Sequence, residues 1–307
     1  MAESFKYLVS TEEDVRYGIS VTTVGSQTAN PGDRYPVSSH PEGYMFNPVS
    51  GRVLNQYQII YIADGQGRYT DGSGCDYHVR SGSVMIIFPN EWHSYCPDKS
   101  TGWKEYFIGA KGPVLDGIMS AGFLTPENPV LSVGLSEKLV SLYREALQIA
   151  NEGRPGGQQY LSGILMHILG YVLSASKTPE VKLDEMTHKI EMAKIYINEQ
   201  ACTDIDLSKL PETLMMSYSS FRKIFKQVVG MPPGRYIQEA RLREACRMLT
   251  NTNASVKYVS NATRFKSVTL FNCIFKKRIG QTPLEYRRKS RAGLEDPRLV
   301  PPTDKQV

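Results

Sequence analysis

Apolar positions along the chain follow two different rhythms. Between about residues 35 and 109 the apolar runs are short and broken by turn residues: YQIIYIADGQGRY, DYHVRSGSVMIIFPNEWHSY and WKEYFIGA. This spacing predicts antiparallel strands forming a sandwich or small barrel. Gly65 and Gly67, then Gly72 and Gly74, predict turns within it. From residue 136 onward the rhythm becomes helical. EKLVSLYREALQIA at 137–150 predicts one helix and YLSGILMHILGYVLSA at 160–175 a second, with NEGRPGGQQ as the turn of a helical hairpin. In the second helix Leu161, Ile164, Leu165, Ile168, Leu169, Val172 and Leu173 form one apolar stripe. Such a stripe can pack on the barrel or form a dimer seam, because amphipathicity does not identify its partner. SASKTPEVKLDEMTH, about 174–188, is polar and contains proline, which reads as a linker.

The C-terminal third carries one pattern twice. FRKIFKQVVGMPPGRY at 221–236 and FNCIFKKRIGQTPLEY at 271–286 share Phe221/Phe271, Ile224/Ile274, Phe225/Phe275, Lys226/Lys276, Gly230/Gly280, Pro233/Pro283 and Tyr236/Tyr286. The Phe, Ile and Phe fall on one helix face, extended by Val229 or Ile279. Glycine then stands where a helix end needs positive φ, and proline three residues later opens a new helix. Upstream, DLSKLPETLMMSYSS and SVKYVSNATRFKSVT each supply a short helix and a turn, ending at Ser217 or Ser267 as N-cap. The unit is helix, turn, helix, present twice, with RYIQEARLREACRMLTNT as a longer connecting helix. In such a motif the second helix lies in the DNA major groove.

Charge sharpens this picture. The formal net charge is only +5, but residues 209–290 hold 17 Lys/Arg against 4 Asp/Glu, leaving 19 basic and 27 acidic residues elsewhere. A basic segment joined to an acidic one predicts a polyanionic partner for the first alone. The start MAESFKYLVSTEED lacks a basic, then apolar, leader, and 160–175 is too short and interrupted to span a membrane, so a cytoplasmic protein without membrane contact is expected. Cys75, Cys96, Cys202, Cys246 and Cys273 form no C-x-x-C pair, which argues against a disulfide framework or a zinc site.

Two stretches now carry a family resemblance. Strand, G-x-G, strand, R-S-G-S-V-x-x-x-F-P and W-H resemble the cupin-type ligand-sensing barrel of AraC-family regulators. Residues 188–289 resemble that family's DNA-binding domain in the order of their parts, in R-L-x-x-A-x-x-x-L at 241–249, and in F-K-K-x-x-G-x-x-P-x-x-Y-R-R at 275–288. The implied fold is multi-domain α+β: a cupin-like β-barrel with a helical hairpin, then an all-α domain with two helix-turn-helix units. The expected division is 1–135 barrel, 136–175 hairpin with a dimerisation role open, 176–187 linker, 188–290 DNA-binding domain and 291–307 tail. Where the family commonly has glycine before each recognition helix, this chain has Met215 and Arg264. Positive φ at a non-glycine residue costs about 1 kcal/mol. Pro211 would kink the first short helix unless it lies in the first turn.

Removing the buried set from each recognition helix leaves its candidate DNA face. The first keeps Tyr218, Ser219, Arg222, Lys223 and Lys226; the second keeps Val268, Thr269, Asn272, Cys273 and Lys276. Arg222 and Lys223 can donate to guanine, Asn272 can pair with adenine, and Val268 and Thr269 can meet a thymine methyl. These residues can also grip phosphate without reading bases. Two such helices reach successive groove segments about 34 Å apart.

In the barrel, the resemblance implies a small effector, most often a sugar. Aromatic faces and a few placed polar groups suit such a ligand, and Tyr44, Arg52, Trp92, His93, Tyr95, Trp103 and Glu105 are the candidates. The competing reading of each is a core aromatic or a satisfied structural histidine. A cupin metalloenzyme would need clustered ligands such as H-x-H; His40, His78, His93, His167 and His188 make none, so no catalytic residue, metal or cofactor is expected. The expectation is a sequence-specific transcriptional activator controlled by a sugar. Its partners would be double-stranded DNA, a carbohydrate effector, a second copy of the chain and, as a further candidate, RNA polymerase. An architectural DNA binder without effector control and a cupin enzyme stand as the alternatives.

Overall fold

A computed structural model describes residues 4–36, 47–177 and 185–291. Tyr44, most of the expected linker and the tail beyond 291 lie outside the described residues. The chain divides into two compact units, 1–183 and 184–307.

The first unit contains β1 (Ser4–Tyr7), α1 (Glu12–Arg16), β2 (Ser20–Ala29), β3 (Arg52–Val53), β4 (Tyr57–Asp71), β5 (Asp76–Arg80), β6 (Ser83–Ile87), β7 (Trp92–Pro97), β8 (Trp103–Lys111), α2 (Pro113–Ser120), β9 (Val130–Ser132), α3 (Glu137–Glu152) and α4 (Gly157–Lys177). The described strands pair antiparallel in the order β1-β2-β8-β4-β6-β9. The long strand β4 serves two layers: its first half pairs with β8 and β6, and its second half with β5 and β7.

That crossing corrects the expected turn at Gly65 and Gly67. Both glycines lie inside β4, and only Gly72 and Gly74 fall in the turn to β5. A Cβ on Gly65, whose φ is +80°, would come within 2.2 Å of the Gly102 carbonyl, and one on Gly67 within 2.3 Å of that of Cys96. Glycine here admits close backbone approach within a continuing strand rather than reversing the chain.

β4 is apolar on both faces because both are covered. Ile60 and Ile62 join Leu54, Val79, Met85, Ile87, Trp103 and Phe107 in the barrel core. Ile59 and Tyr61 look the other way, where Tyr143 of α3 stacks on Tyr61 and donates to the Ile59 carbonyl at 3.1 Å. α4 is held on β2 by polar contacts as well. Gln158 accepts from Val21 N at 3.0 Å and donates to Val21 O at 2.9 Å, pairing with backbone where β2 bulges. Of the apolar stripe of α4, Leu161, Ile164, Leu165, Ile168, Leu169 and Val172 are buried within this chain and Leu173 is half-buried. The stripe therefore packs on the hairpin and sheet and is not a free dimer seam.

The second unit is helical: α5 (Glu185–Glu199), α6 (Leu210–Thr213), α7 (Tyr218–Val229), α8 (Pro233–Asn251), α9 (Val256–Ala262), α10 (Val268–Ile279) and α11 (Pro283–Arg291). It has two cores, and α8 contributes to both. Tyr236, Ile237 and Ala240 join α5, α6 and α7 around Phe221 and Phe225; Leu242, Ala245, Cys246 and Leu249 join α9, α10 and α11 around Phe271 and Phe275.

Local signals place each helix end. Ser217 and Ser267 accept from the backbone N–H groups of Ser220 and Leu270, at 3.2 and 3.1 Å. Gly230 and Gly280 end α7 and α10 at φ of 78° and 83°. Pro211 sits in the first turn of α6, where a missing N–H costs nothing. Met215 and Arg264 adopt φ of 53° and 57°, so the turns keep the left-handed geometry without glycine. Their hydrogen bonds match too: Met215 N to Glu212 O and Met216 N to Pro211 O in one, Arg264 N to Asn261 O and Phe265 N to Ser260 O in the other.

Candidate functional site

Two places in the molecule gather groups capable of recognition. The first is a small cavity of about 30 Å³ inside the barrel. β1 supplies Tyr7, β2 Gln27, β3 Arg52, β4 Gln58 and Ile60, β7 Tyr95, and β8 Glu105 and Phe107, with Tyr35 and Pro36 closing one side.

Glu105 is the pivotal group. It lies opposite Gln27 in the β2–β8 register and is 1% exposed. Burial raises its carboxyl to about pH 7, against the opposing pull of Gln27, Tyr35 and Arg52. Gln27 donates its amide to the carboxyl, and the Tyr35 hydroxyl lies 3.2 and 3.1 Å from its two oxygens. Burial, followed by the field of Glu105, drives the Tyr35 hydroxyl well above its ordinary range. That phenol stays protonated.

Arg52 faces Glu105 across the cavity and is held by two other side chains. Its Nη2 donates to the Tyr95 hydroxyl at 2.6 Å and its Nε to His93 Nε2 at 3.3 Å. Because Arg52 can only donate, His93 Nε2 must accept, and His93 Nδ1–H therefore points to the Glu91 carbonyl 3.1 Å away. Burial holds the imidazole down to about 4, so it remains neutral. His93 is fully buried and backs the cavity through two of its lining residues, Arg52, which it holds, and Tyr95, on whose ring its own stacks at 6.1 Å.

The expected aromatics divide into three groups. Tyr95 lines the cavity. Trp103 stands behind it, its ring 5.6 Å from Tyr35 and 6.3 Å from Tyr95, with a buried indole N–H that has no hydrogen-bond partner of ordinary geometry among the described residues. Trp92 faces away: it precedes His93 on β7, so it takes the opposite side of the strand, and its indole N–H donates to the Ser50 carbonyl at 3.0 Å. Arg52 and Glu105 line the cavity as expected, and Tyr44 lies outside the described residues.

Sequence reading missed Tyr7, Gln27, Tyr35 and Gln58. A usable signal existed for the glutamines: Gln58, like Glu105, is a polar residue within or beside a run of apolar ones, and Gln27 stands two positions before the buried Ala29 at the end of β2. Tyr7 and Tyr35 come from segments whose proximity only the fold creates. Among the described residues no group of three or more His, Cys, Asp or Glu could hold a metal.

The second place is the outer face of α7 and α10. Tyr218, Ser219, Arg222, Lys223 and Lys226 are exposed, as are Thr269, Asn272, Cys273 and Lys276, while Val268 is half-buried. Over 221–230 and 271–280 the order of buried and exposed positions is the same residue for residue. The Arg222 guanidinium lies 5.8 Å from the centre of the Tyr218 ring, which orients it along the N-terminal end of α7. Leu270, 40% exposed, adds an apolar side chain to the start of α10 that the sequence reading did not single out.

A lined cavity in a barrel and a pair of helix-turn-helix units in one chain are the make-up of a DNA-binding regulator that carries a ligand-binding domain. Comparison with known proteins agrees. Residues 17–169 match the AraC-like ligand binding domain, and residues 211–289 match a helix-turn-helix domain. The chain belongs to the AraC family of transcriptional regulators. It is 23% identical to the MmsAB operon regulatory protein of Pseudomonas aeruginosa over 85% of each chain. It is 23% identical to the raffinose operon transcriptional regulatory protein RafR of Pediococcus pentosaceus, covering 77% of this chain and 86% of that one. The lactose operon transcription activator of Staphylococcus xylosus is 22% identical, over 80% and 86% respectively. No helix among the described residues is long and apolar enough to cross a membrane.

Proposed function

We propose that this regulator is a cytoplasmic transcriptional activator controlled by a sugar bound in the barrel cavity. The observation that carries the reading is the lining of that cavity. Glu105, Gln27 and Gln58 offer acceptors, Arg52 and the two amides offer donors, and Tyr7, Tyr35, Tyr95 and Phe107 offer ring faces. Paired donors and acceptors between aromatic walls suit a molecule with hydroxyls around an apolar ring face. The relatives named for raffinose and lactose operons support the same class of ligand. Tyr218, Ser219, Arg222, Lys223 and Lys226 of α7, and Val268, Thr269, Asn272, Cys273 and Lys276 of α10, contact DNA in two successive major grooves. A homodimer binding paired sites and touching RNA polymerase completes the activator. The sugar acts by linkage: it changes DNA occupancy because it favours one arrangement of the protein over another.

The test is selection of genomic fragments by the purified full-length protein near physiological salt, then footprinting with and without a panel of mono- and disaccharides. The expected result is discrete footprints contacting two grooves on one DNA face, strengthened by one sugar in wild type and unresponsive in Glu105→Ala. Sequence-independent binding with a steep salt slope would overturn the reading in favour of an architectural role. Discrete footprints insensitive to every sugar, but responsive to another small-molecule class, would overturn the ligand alone.

A further inference from the structure

We propose that Arg264, together with Arg241, is a positioning residue that sets the spacing and relative angle of the two recognition helices. The inference rests on the reading of α7 and α10 as the DNA-contacting pair and adds how their geometry is held.

The two units need more than α8 to act as one rigid reader. Long helices are rarely straight, so a connecting helix does not by itself set an angle. A brace is present at the end of α5. Three successive carbonyls there, of Ala201, Cys202 and Thr203, receive Arg241 Nε at 3.1 Å, Arg264 Nε at 3.2 Å and Arg241 Nη2 at 3.1 Å. Arg241 Nη1 also donates to the Arg264 carbonyl at 3.1 Å, and the Asp204 carboxylate lies 3.6 Å from Arg264 Nη1. Carbonyls just beyond a helix C-terminus are favourable acceptors for a guanidinium.

These contacts join the two cores. Ala201 is buried in the first, beside Phe221 and Phe225. Arg264 precedes Phe265, whose ring belongs to the second core and lies 5.0 Å from that of Phe271 in α10. The segment from α5 to α6 is thereby tied to the turn that aims α10. Together with α8 it closes a second connection between the units, and two connections fix an angle that one leaves free.

The equivalent turn of the first unit shows that the backbone alone does not call for arginine. Met215 has nearly the same φ, at 53° against 57°, yet its side chain is 90% exposed. Glycine would suit either backbone better. At 264 it would remove the guanidinium bond to Cys202 and the pairing with Asp204. Arginine in a left-handed turn is accounted for by what its side chain reaches across the interface.

The test uses the full chain and a duplex taken from a wild-type footprint, with derivatives in which one base pair is inserted or deleted between the two contacted grooves, or one groove is scrambled. Arg264→Gly combined with Arg241→Ala removes the side-chain bonds of the brace and relaxes the backbone; Arg264→Asn combined with Arg241→Ala removes them while keeping a residue that tolerates positive φ. Wild type is expected to lose roughly tenfold or more on the misspaced duplexes, the order of one disrupted base-pair readout. Both variants should bind the native spacing several-fold more weakly, discriminate little between spacings, and bind the one-groove duplex as wild type does. Thermal unfolding measured alongside separates this from loss of fold. A variant that keeps the wild-type spacing profile overturns the brace and leaves the two-groove reading standing. A uniform fall on every duplex, with the salt slope reduced by about 1, makes one of the two arginines a phosphate contact and also overturns the brace. A wild-type protein with no spacing preference overturns both.

Discussion

In the first helix-turn-helix unit the Phe221 ring lies 5.4 Å from Phe225, which lies 5.5 Å from Tyr236; in the second, Phe271, Phe275 and Tyr286 repeat the ladder at 5.4 and 5.6 Å. Above these matching cores the surfaces diverge. Arg222 and Lys223 stand where the second unit has Asn272 and Cys273. The shared residues explain why. Phe, Phe, Pro and Tyr are buried, Ile is half-buried, and glycine holds the left-handed helix end. Each is bound by packing or backbone geometry, whereas exposed positions answer only to what the surface meets. Lys226 and Lys276 break that rule, being shared and exposed. A group that both units need on their outer face fits a contact that does not depend on sequence, such as phosphate.

The comparison is broken most severely in the cores. Phe221→Ala and Phe271→Ala should each cost about 3–5 kcal/mol, since both side chains are fully buried, and should cost nearly the same. Denaturant unfolding followed by helical circular dichroism checks this; a large inequality would mean that the two cores are not equivalent.

The next largest effect contrasts the helical units with the barrel, where a buried acid titrates. Folded Glu105 holds its proton up to about pH 7, whereas in the unfolded chain it releases it near its ordinary value. Its contribution is therefore fully present below the unfolded pKa and is lost as pH rises through the folded one. Between pH 5 and 8 the barrel should lose on the order of 2–3 kcal/mol from this group. Glu105→Gln should flatten the slope. Both tryptophans, Trp92 and Trp103, lie in the barrel, so their fluorescence reports its unfolding alone.

On the DNA faces, Arg222→Ala and Asn272→Ala should each relax specificity at different base positions, with losses of about 1–3 kcal/mol apiece. Binding to a panel of single-base operator variants measures which positions relax. The smallest effect sharpens the shared exposed lysines: Lys226→Ala and Lys276→Ala should weaken all sequences alike, each lowering the salt slope by about 1. A base-specific loss at either lysine would move it from phosphate contact to readout.

Most exposed residues on the outer faces of α7 and α10 were legible because a helix period sorts them once the buried set is known, although Val268 is half-buried and the exposed Leu270 was passed over. The effector cavity was less so. Arg52, Tyr95 and Glu105 could be picked by type, but Trp92 and Trp103 share that type and do not line the cavity. Alternation along a strand tells which residues share a face, not which face encloses space. Gly65 and Gly67 mislead for a related reason: glycine marks a special backbone need, and only the approach of β8 and β7 shows that the need is contact rather than reversal.

By itself the sequence determined the two helix-turn-helix units, their caps, their buried and exposed faces and the strand-rich N-terminal half, because these depend on period and on residues within a few positions of one another. Tertiary structure alone decided three things: that Tyr7, Gln27, Tyr35, Arg52 and Glu105 meet in one cavity, that the α4 stripe is spent on the sheet, and that Arg241 and Arg264 reach the carbonyls of Ala201, Cys202 and Thr203. Each joins segments tens of residues apart, and no local pattern encodes a meeting that only the packing of the whole chain brings about.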